Sequence, residues 1–198
     1  MHKGVFVGSE ARNQPKRILI LGESHYGVQE STTAVMERYF REPGDISYRF
    51  FDRIVETFGF SKENRERFWA KVYFGNYIDV SCGVGDGQAR AAIKDNRAIC
   101  NDDLIAFIVK EEIDYVFCFS RLVYNNLPKL YPEKGDHESC VLEDRTHYLM
   151  QCVYYPGQRN DMKQWIEKQL VLYGLKHPSR GYAPQKYRNA IADILHKK

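Results

Sequence analysis

The chain has few of the features that announce a specialised class. No apolar run in its 198 residues approaches the ~20 residues of a membrane span, which excludes an evident integral membrane protein. The opening residues Met1-His2-Lys3-Gly4 hold no apolar core and no small-residue cleavage site, so no secretory leader is expected and the cytoplasm is the expected location. The five cysteines, Cys82, Cys100, Cys118, Cys140 and Cys152, are odd in number and form no CxxC pair. That argues against a disulfide framework, a zinc site or an iron–sulfur cluster; the expectation is buried thiols in a reducing compartment, with no metal and no cofactor. A net charge of only +3 sets up no global basic field. There is no repeat, no low-complexity tract and no linker, so one domain spanning 1–198, as a monomer, is expected.

What the chain does have is aromatic side chains, with 14 Tyr and 11 Phe. They fill a core or stack on ligand rings. It also has an uneven charge: Lys176, Arg180, Lys186, Arg188, Lys197 and Lys198 stand against the single acid Asp193 after residue 175. Such a segment suits a phosphate-bearing partner or a solvated helix face.

Residues 1–16 read as a loose, polar lead-in. Arg17 to Gly22 is a short continuous apolar run closed by glycine, the pattern of a strand buried on both faces. Helices are expected over Ser31–Arg41, Ile46–Phe58 and Lys62–Phe68, and a β-branched and aromatic strand over Lys71–Ile78. A Gly-rich loop from Ser81 to Gly87 precedes a helix over Arg97–Lys110. Ile113–Phe119 is a third buried strand, followed by a helix of about ten residues, and 169–175 is a fourth strand. Pro184 opens the last helix, to His196. Within 131–161, Thr146–Tyr155 alternates as a strand and a helix begins at Asn160; the segment is an insertion over the site or a hairpin at the sheet edge. Strands alternating with helices predict an α/β fold, a mostly parallel sheet with helices on both faces. Ligands then bind beyond the carboxyl ends of the strands, where 22–27, 76–87, 120–126 and 176–182 are polar or Gly-rich.

Candidate chemistry sits on those exits. Gly22-Glu23-Ser24-His25-Tyr26-Gly27 gathers a carboxylate, a hydroxyl, an imidazole and a phenol between glycines that allow close backbone approach. Glu23 or His25 suits a general base; a capped polar turn is the alternative. G-x-S-x-G is absent around Ser24, and Glu23-x-His25 lacks metal-ligand spacing, which weighs against a serine hydrolase and a metal enzyme. Asn76 offers a donor and an acceptor at a strand end, the pairing that reads a base edge, unless it satisfies local backbone. His177-Pro178-Ser179 puts a potential oxyanion donor before a basic helix, or a capped turn.

Taken together, Ile18-Leu19-Ile20-Leu21-Gly22-Glu23-Ser24-His25-Tyr26, Val72-Tyr73-Phe74-Gly75-Asn76, Val116-Phe117-Cys118-Phe119-Ser120 and His177-Pro178-Ser179 resemble, in order, the motifs of the uracil-DNA glycosylase superfamily. The resemblance implies a three-layer αβα fold with a mostly parallel four-stranded sheet and a pocket for a flipped base. It implies that His177 is catalytic, stabilising charge on the departing base; Glu23, as a substitute carboxylate, and His25, as an added acid/base group, complete the catalytic candidates. Gly22, Ser24, Tyr26, Asn76 and Ser179 would bind substrate, and Arg180, Tyr182, Lys186 and Arg188 would contact nucleic acid. The partner implied is DNA or a nucleobase-containing ligand. The pattern also departs from the family. Ser24 stands where the most active members carry Asp, His25 where Pro is expected, and Arg180-Gly181 where a bulky wedge is common, with Tyr182 as a replacement stacking group. Three functions follow: a DNA-base glycosylase, a weak or inactive base-binding module of the same fold, or a small-molecule hydrolase using Glu23 and His25.

Overall fold

The computed structural model describes residues 4–26, 30–42, 45, 48–82, 86–128, 137–143, 147–154, 168–179 and 181–196, with the backbone alone for 25, 26, 79–82, 86, 87, 89, 137, 138 and 143. The chain is an α/β protein in which helices flank one sheet. The strands are β1 (Phe6–Val7), β2 (Ile18–Tyr26), β3 (Tyr73–Cys82), β4 (Tyr115–Cys118), β5 (His137–Glu143), β6 (Tyr148–Tyr154) and β7 (Leu170–Leu175). The helices are α1 (Thr32–Arg41), α2 (Arg49–Thr57), α3 (Arg65–Trp69), α4 (Asp86–Lys110), α5 (Arg121–Tyr124) and α6 (Gln185–His196). No helix among the described residues is long and apolar enough to cross a membrane.

The sheet corrects the expectation of four mostly parallel strands. Among the described residues seven strands lie in the order β1-β3-β2-β4-β7-β6-β5, and the sheet is mixed. The pairs β3–β2, β2–β4 and β4–β7 are parallel, while β1–β3, β7–β6 and β6–β5 are antiparallel. The extra strands lie at the edges. β1 is two residues long and too short to show a pattern; it pairs because Phe6 and Val7 align with Phe74 and Tyr73. The lead-in is therefore not loose. The Gly8 amide donates to the Val72 carbonyl, and a Cβ on Gly8 would lie 2.2 Å from the Trp69 carbonyl, so only glycine fits there. β5 and β6 form an antiparallel hairpin that extends the sheet beyond β7. The helix expected from Asn160 lies outside the described residues up to 167.

Strand alternation separates two cores. Leu19, Leu21, Val116, Cys118 and Leu172 face α4 and α5, packing on Ile93, Leu104, Ile105 and Val123. Ile20, Phe74, Phe117, Phe119, Tyr173 and Leu175 face α1, α2, α3 and α6, packing on Met36, Ile54, Trp69 and Ile191. The second face takes most of the phenylalanines, in rings such as Phe51–Phe74 at 5.3 Å and Phe117–Tyr173 at 4.9 Å. α4 begins at Asp86, earlier than the glycines suggested, because Ala89-Arg90-Ala91-Ala92 are strong helix formers. α5 is one short turn rather than ten residues.

Candidate active site

Among the four parallel strands, β2 comes first in the chain, with β3 on one side and β4 on the other. Successive connections therefore leave in opposite directions between β2 and β4, and sheets of this kind hold ligands at the carboxyl ends of such a pair. The candidate residues gather along that end.

Gly22 pairs in register with Asn76. A Cβ on Gly22 would lie 2.4 Å from Asn76 Oδ1 and 3.4 Å from the Phe74 ring. The missing side chain is thus filled by the amide of Asn76, which is 7% exposed. Ser24 follows Gly22 by two residues and so shares its face. Its hydroxyl is buried without a hydrogen-bond partner among the described residues. The pairing then slips. Ser24 aligns with Ile78 but His25 with Ser81, so β3 carries two unmatched residues, Asp79 and Val80, beside the candidate site. The backbone of His25 and Tyr26 continues β2 to its end; the expected roles of their side chains, like Arg180, lie outside the described residues.

Glu23 takes the other direction. It alternates with Leu19 and Leu21 and faces α5, where Ser120 Oγ donates to Glu23 Oε2 at 2.5 Å. Ser120 Oγ also accepts from the Val123 amide at 3.2 Å, capping α5. Glu23 is therefore held on the sheet face opposite to Asn76. The neighbouring Cys118 thiol, pushed up to about 12 by burial and then by the Glu23 charge, donates to the Ser120 carbonyl at 3.4 Å.

His177 leaves β7 on the Asn76 face, in step with Tyr173 and Leu175. Its ring lies 5.3 Å from that of Phe50 on α2, and Phe50 lies 6.3 Å from Phe74. Phe50 was legible only as one of a run of apolar residues spaced by four. It instead stands half-buried between the Asn76 strand and the His177 turn. Ser179 is exposed, and the Arg53 guanidinium donates to its carbonyl. The expected nucleic-acid residues divide. Lys186 is exposed on α6. Arg188 Nε donates to the Glu56 carbonyl at 2.8 Å, tying α6 to α2. Tyr182 is turned inward: it is 6% exposed, its hydroxyl meets Thr57 Oγ1 at 2.8 Å and its ring stacks on Tyr187 at 5.2 Å. A ring so engaged is not presented to a base.

The residues brought together are Gly22, Ser24, Asn76, Phe50 and His177 on one face, with Glu23 and Ser120 behind them. Among the described residues no three His, Cys, Asp or Glu side chains cluster in a way that could hold a metal ion. The chain matches no protein-family model and no curated protein.

Proposed function

We propose that the protein is a glycosylase of the uracil-DNA glycosylase type, which takes a flipped, damaged or deaminated base at these strand exits and hydrolyses its N-glycosidic bond. The observation that carries this reading is the seat of Asn76 on Gly22. A carboxamide carries the donor and the acceptor that reading a nucleobase edge requires, and here it is held in place at the strand exit by bare backbone. Phe50 supplies an aromatic face nearby, and His177 a donor for charge on the departing base. Water adds at C1′, the C–N bond breaks, the base leaves with the bonding pair, and a proton returns to it. Lys186 and the exposed Ser179 suit phosphates at the rim.

One observation favours a second reading, a module of the same fold that binds a base without cutting. The Asn76 face presents Ser24 where a carboxylate would orient water, and Glu23 is bonded on the other face. The same bond weakens the case for a small-molecule hydrolase built on Glu23 and His25.

The test uses single- and double-stranded oligonucleotides carrying uracil, hypoxanthine, xanthine or an alkylated base, with alkali to reveal abasic sites. Product that disappears in Asn76→Ala and His177→Ala supports the enzyme. Binding without product supports the module. Neither product nor binding ends the nucleic-acid reading.

A further inference from the structure

We propose that Arg53 is the positioning residue of this site, holding the His177 turn against α2 so that the imidazole keeps its place beside Phe50. The inference rests on His177 acting at the site proposed above.

The turn after β7 needs outside support. Ser179 donates its amide to the His177 carbonyl at 2.7 Å, which folds the chain tightly. Pro178 has no amide to contribute. The carbonyls of Pro178 and Ser179 both point to one donor, Arg53 Nη1, at 3.1 Å for Pro178. Tyr182 adds its own amide to the Ser179 carbonyl at 3.1 Å.

Arg53 is not an isolated contact. Phe50, Arg53 and Thr57 stand at i, i+3 and i+7, on one face of α2. Along that face Phe50 meets the His177 ring, Arg53 the next two carbonyls, and Thr57 the Tyr182 hydroxyl. The helix that supplies the aromatic ring therefore also fixes the chain that follows the imidazole. Tyr182 and Arg188 already anchor the segment further on, at Thr57 and at the Glu56 carbonyl. What Arg53 adds is local to residues 178 and 179. A planar guanidinium can serve two carbonyls from a fixed position; a lysine ammonium on a flexible stem would hold them less well.

The experiment records the imidazole Cε1–H resonances of the full chain by proton–carbon correlation, with His177 assigned from its disappearance in His177→Gln. In Arg53→Ala the His177 peak is expected to move by more than its line width while the other histidine peaks stay. Arg53→Lys should give a smaller displacement, and it carries the test if the alanine variant fails to fold. Thr57→Val loses the buried contact to Tyr182 and is expected to lower stability without moving the His177 peak. A His177 peak unchanged in both Arg53 variants, or moved as far by Thr57→Val, overturns the proposal. Where the wild type yields abasic product, Arg53→Ala should lower turnover by about 10–100-fold with KM changed by less than about twofold. The spectra need no DNA. Absence of product in the wild type therefore defeats the enzyme reading alone, and an unmoved peak defeats the positioning role alone.

Discussion

Glu23 and Ser120 meet across the carboxyl ends of β2 and β4, one residue beyond the glycine on which Asn76 rests, and on the opposite side of the sheet. The acid that the sequence offered as a general base is thereby a strut between two strand ends. Ser120 joins it to the first turn of α5.

The variants Glu23→Gln and Ser120→Ala separate strut from base. Glu23→Gln keeps an acceptor for Ser120, so abasic-site formation, or base binding if that is the activity, should stay within a few-fold of wild type. Ser120→Ala removes the partner of a buried carboxylate and a helix cap together. It should cost about 1–3 kcal/mol in denaturant unfolding. Loss of product in a well-folded Glu23→Gln protein would return the carboxylate to the chemistry.

Gly22→Ala should act through Asn76. The new Cβ claims the space of Oδ1, so the amide must swing away or the strands must part. Overpacking of this kind costs about 1–3 kcal/mol. The expected result is a folded protein with the base affinity of Asn76→Ala. Wild-type affinity in Gly22→Ala would show that the seat of the amide is immaterial.

Acid stability should report the far end of the sheet. Arg12 makes two bonds to Glu111, at 3.0 and 3.1 Å, and Tyr73 adds its hydroxyl at 3.3 Å. The Arg12 hydrogen bond is the main cause that holds the Glu111 carboxyl below its ordinary range. A depressed carboxylate stabilises the fold above its unfolded value, about 4.3, and that contribution is lost as pH falls through the folded value. Thermal melts of wild type and Arg12→Met should therefore differ at neutral pH and converge in acid, as the pH falls below the ordinary glutamate range. A constant gap across the titration would mean that Arg12 acts by packing alone.

Thiol labelling should be selective. Burial raises the Cys118 thiol to about 12 and leaves little thiolate at neutral pH, whereas Cys140 is exposed on the edge strand β5. Maleimide should modify Cys140 before Cys118, with Cys118 protected until the protein unfolds. Labelling of Cys118 as fast as Cys140 in the native state would contradict its burial.

The four parallel strands were legible because each is built on a short run of apolar, β-branched or aromatic residues, broken in β3 by Gly75-Asn76. The edges were not. β1 is too short to carry a period, and β5 reads His-Glu-Ser-Cys-Val-Leu-Glu, polar enough to pass for loop. At the site, alternation from Leu19 and Leu21 already assigns Glu23 a face, but which face bears the pocket depends on where α2 packs. Ser120 is a readable helix cap, yet its bond to Glu23 joins residues 97 positions apart. Tyr182 and Arg188 looked like ligands for the same reason: their partners, Thr57 and the Glu56 carbonyl, lie far back in the chain.

The strand order also sets a sequence of events during synthesis. β2 is made before the strands that flank it on both sides, β3 and then β4. Until those arrive, Ile18 to Leu21 has two open edges and a backbone ready to pair with any passing strand, an aggregation hazard that a chaperone would cover. β7 and the turn bearing His177 emerge last of the parallel set. A ribosome-bound chain thus owns the amide seat long before it owns the imidazole, and acquires its complete set of site residues only once β7 and the turn after it have emerged.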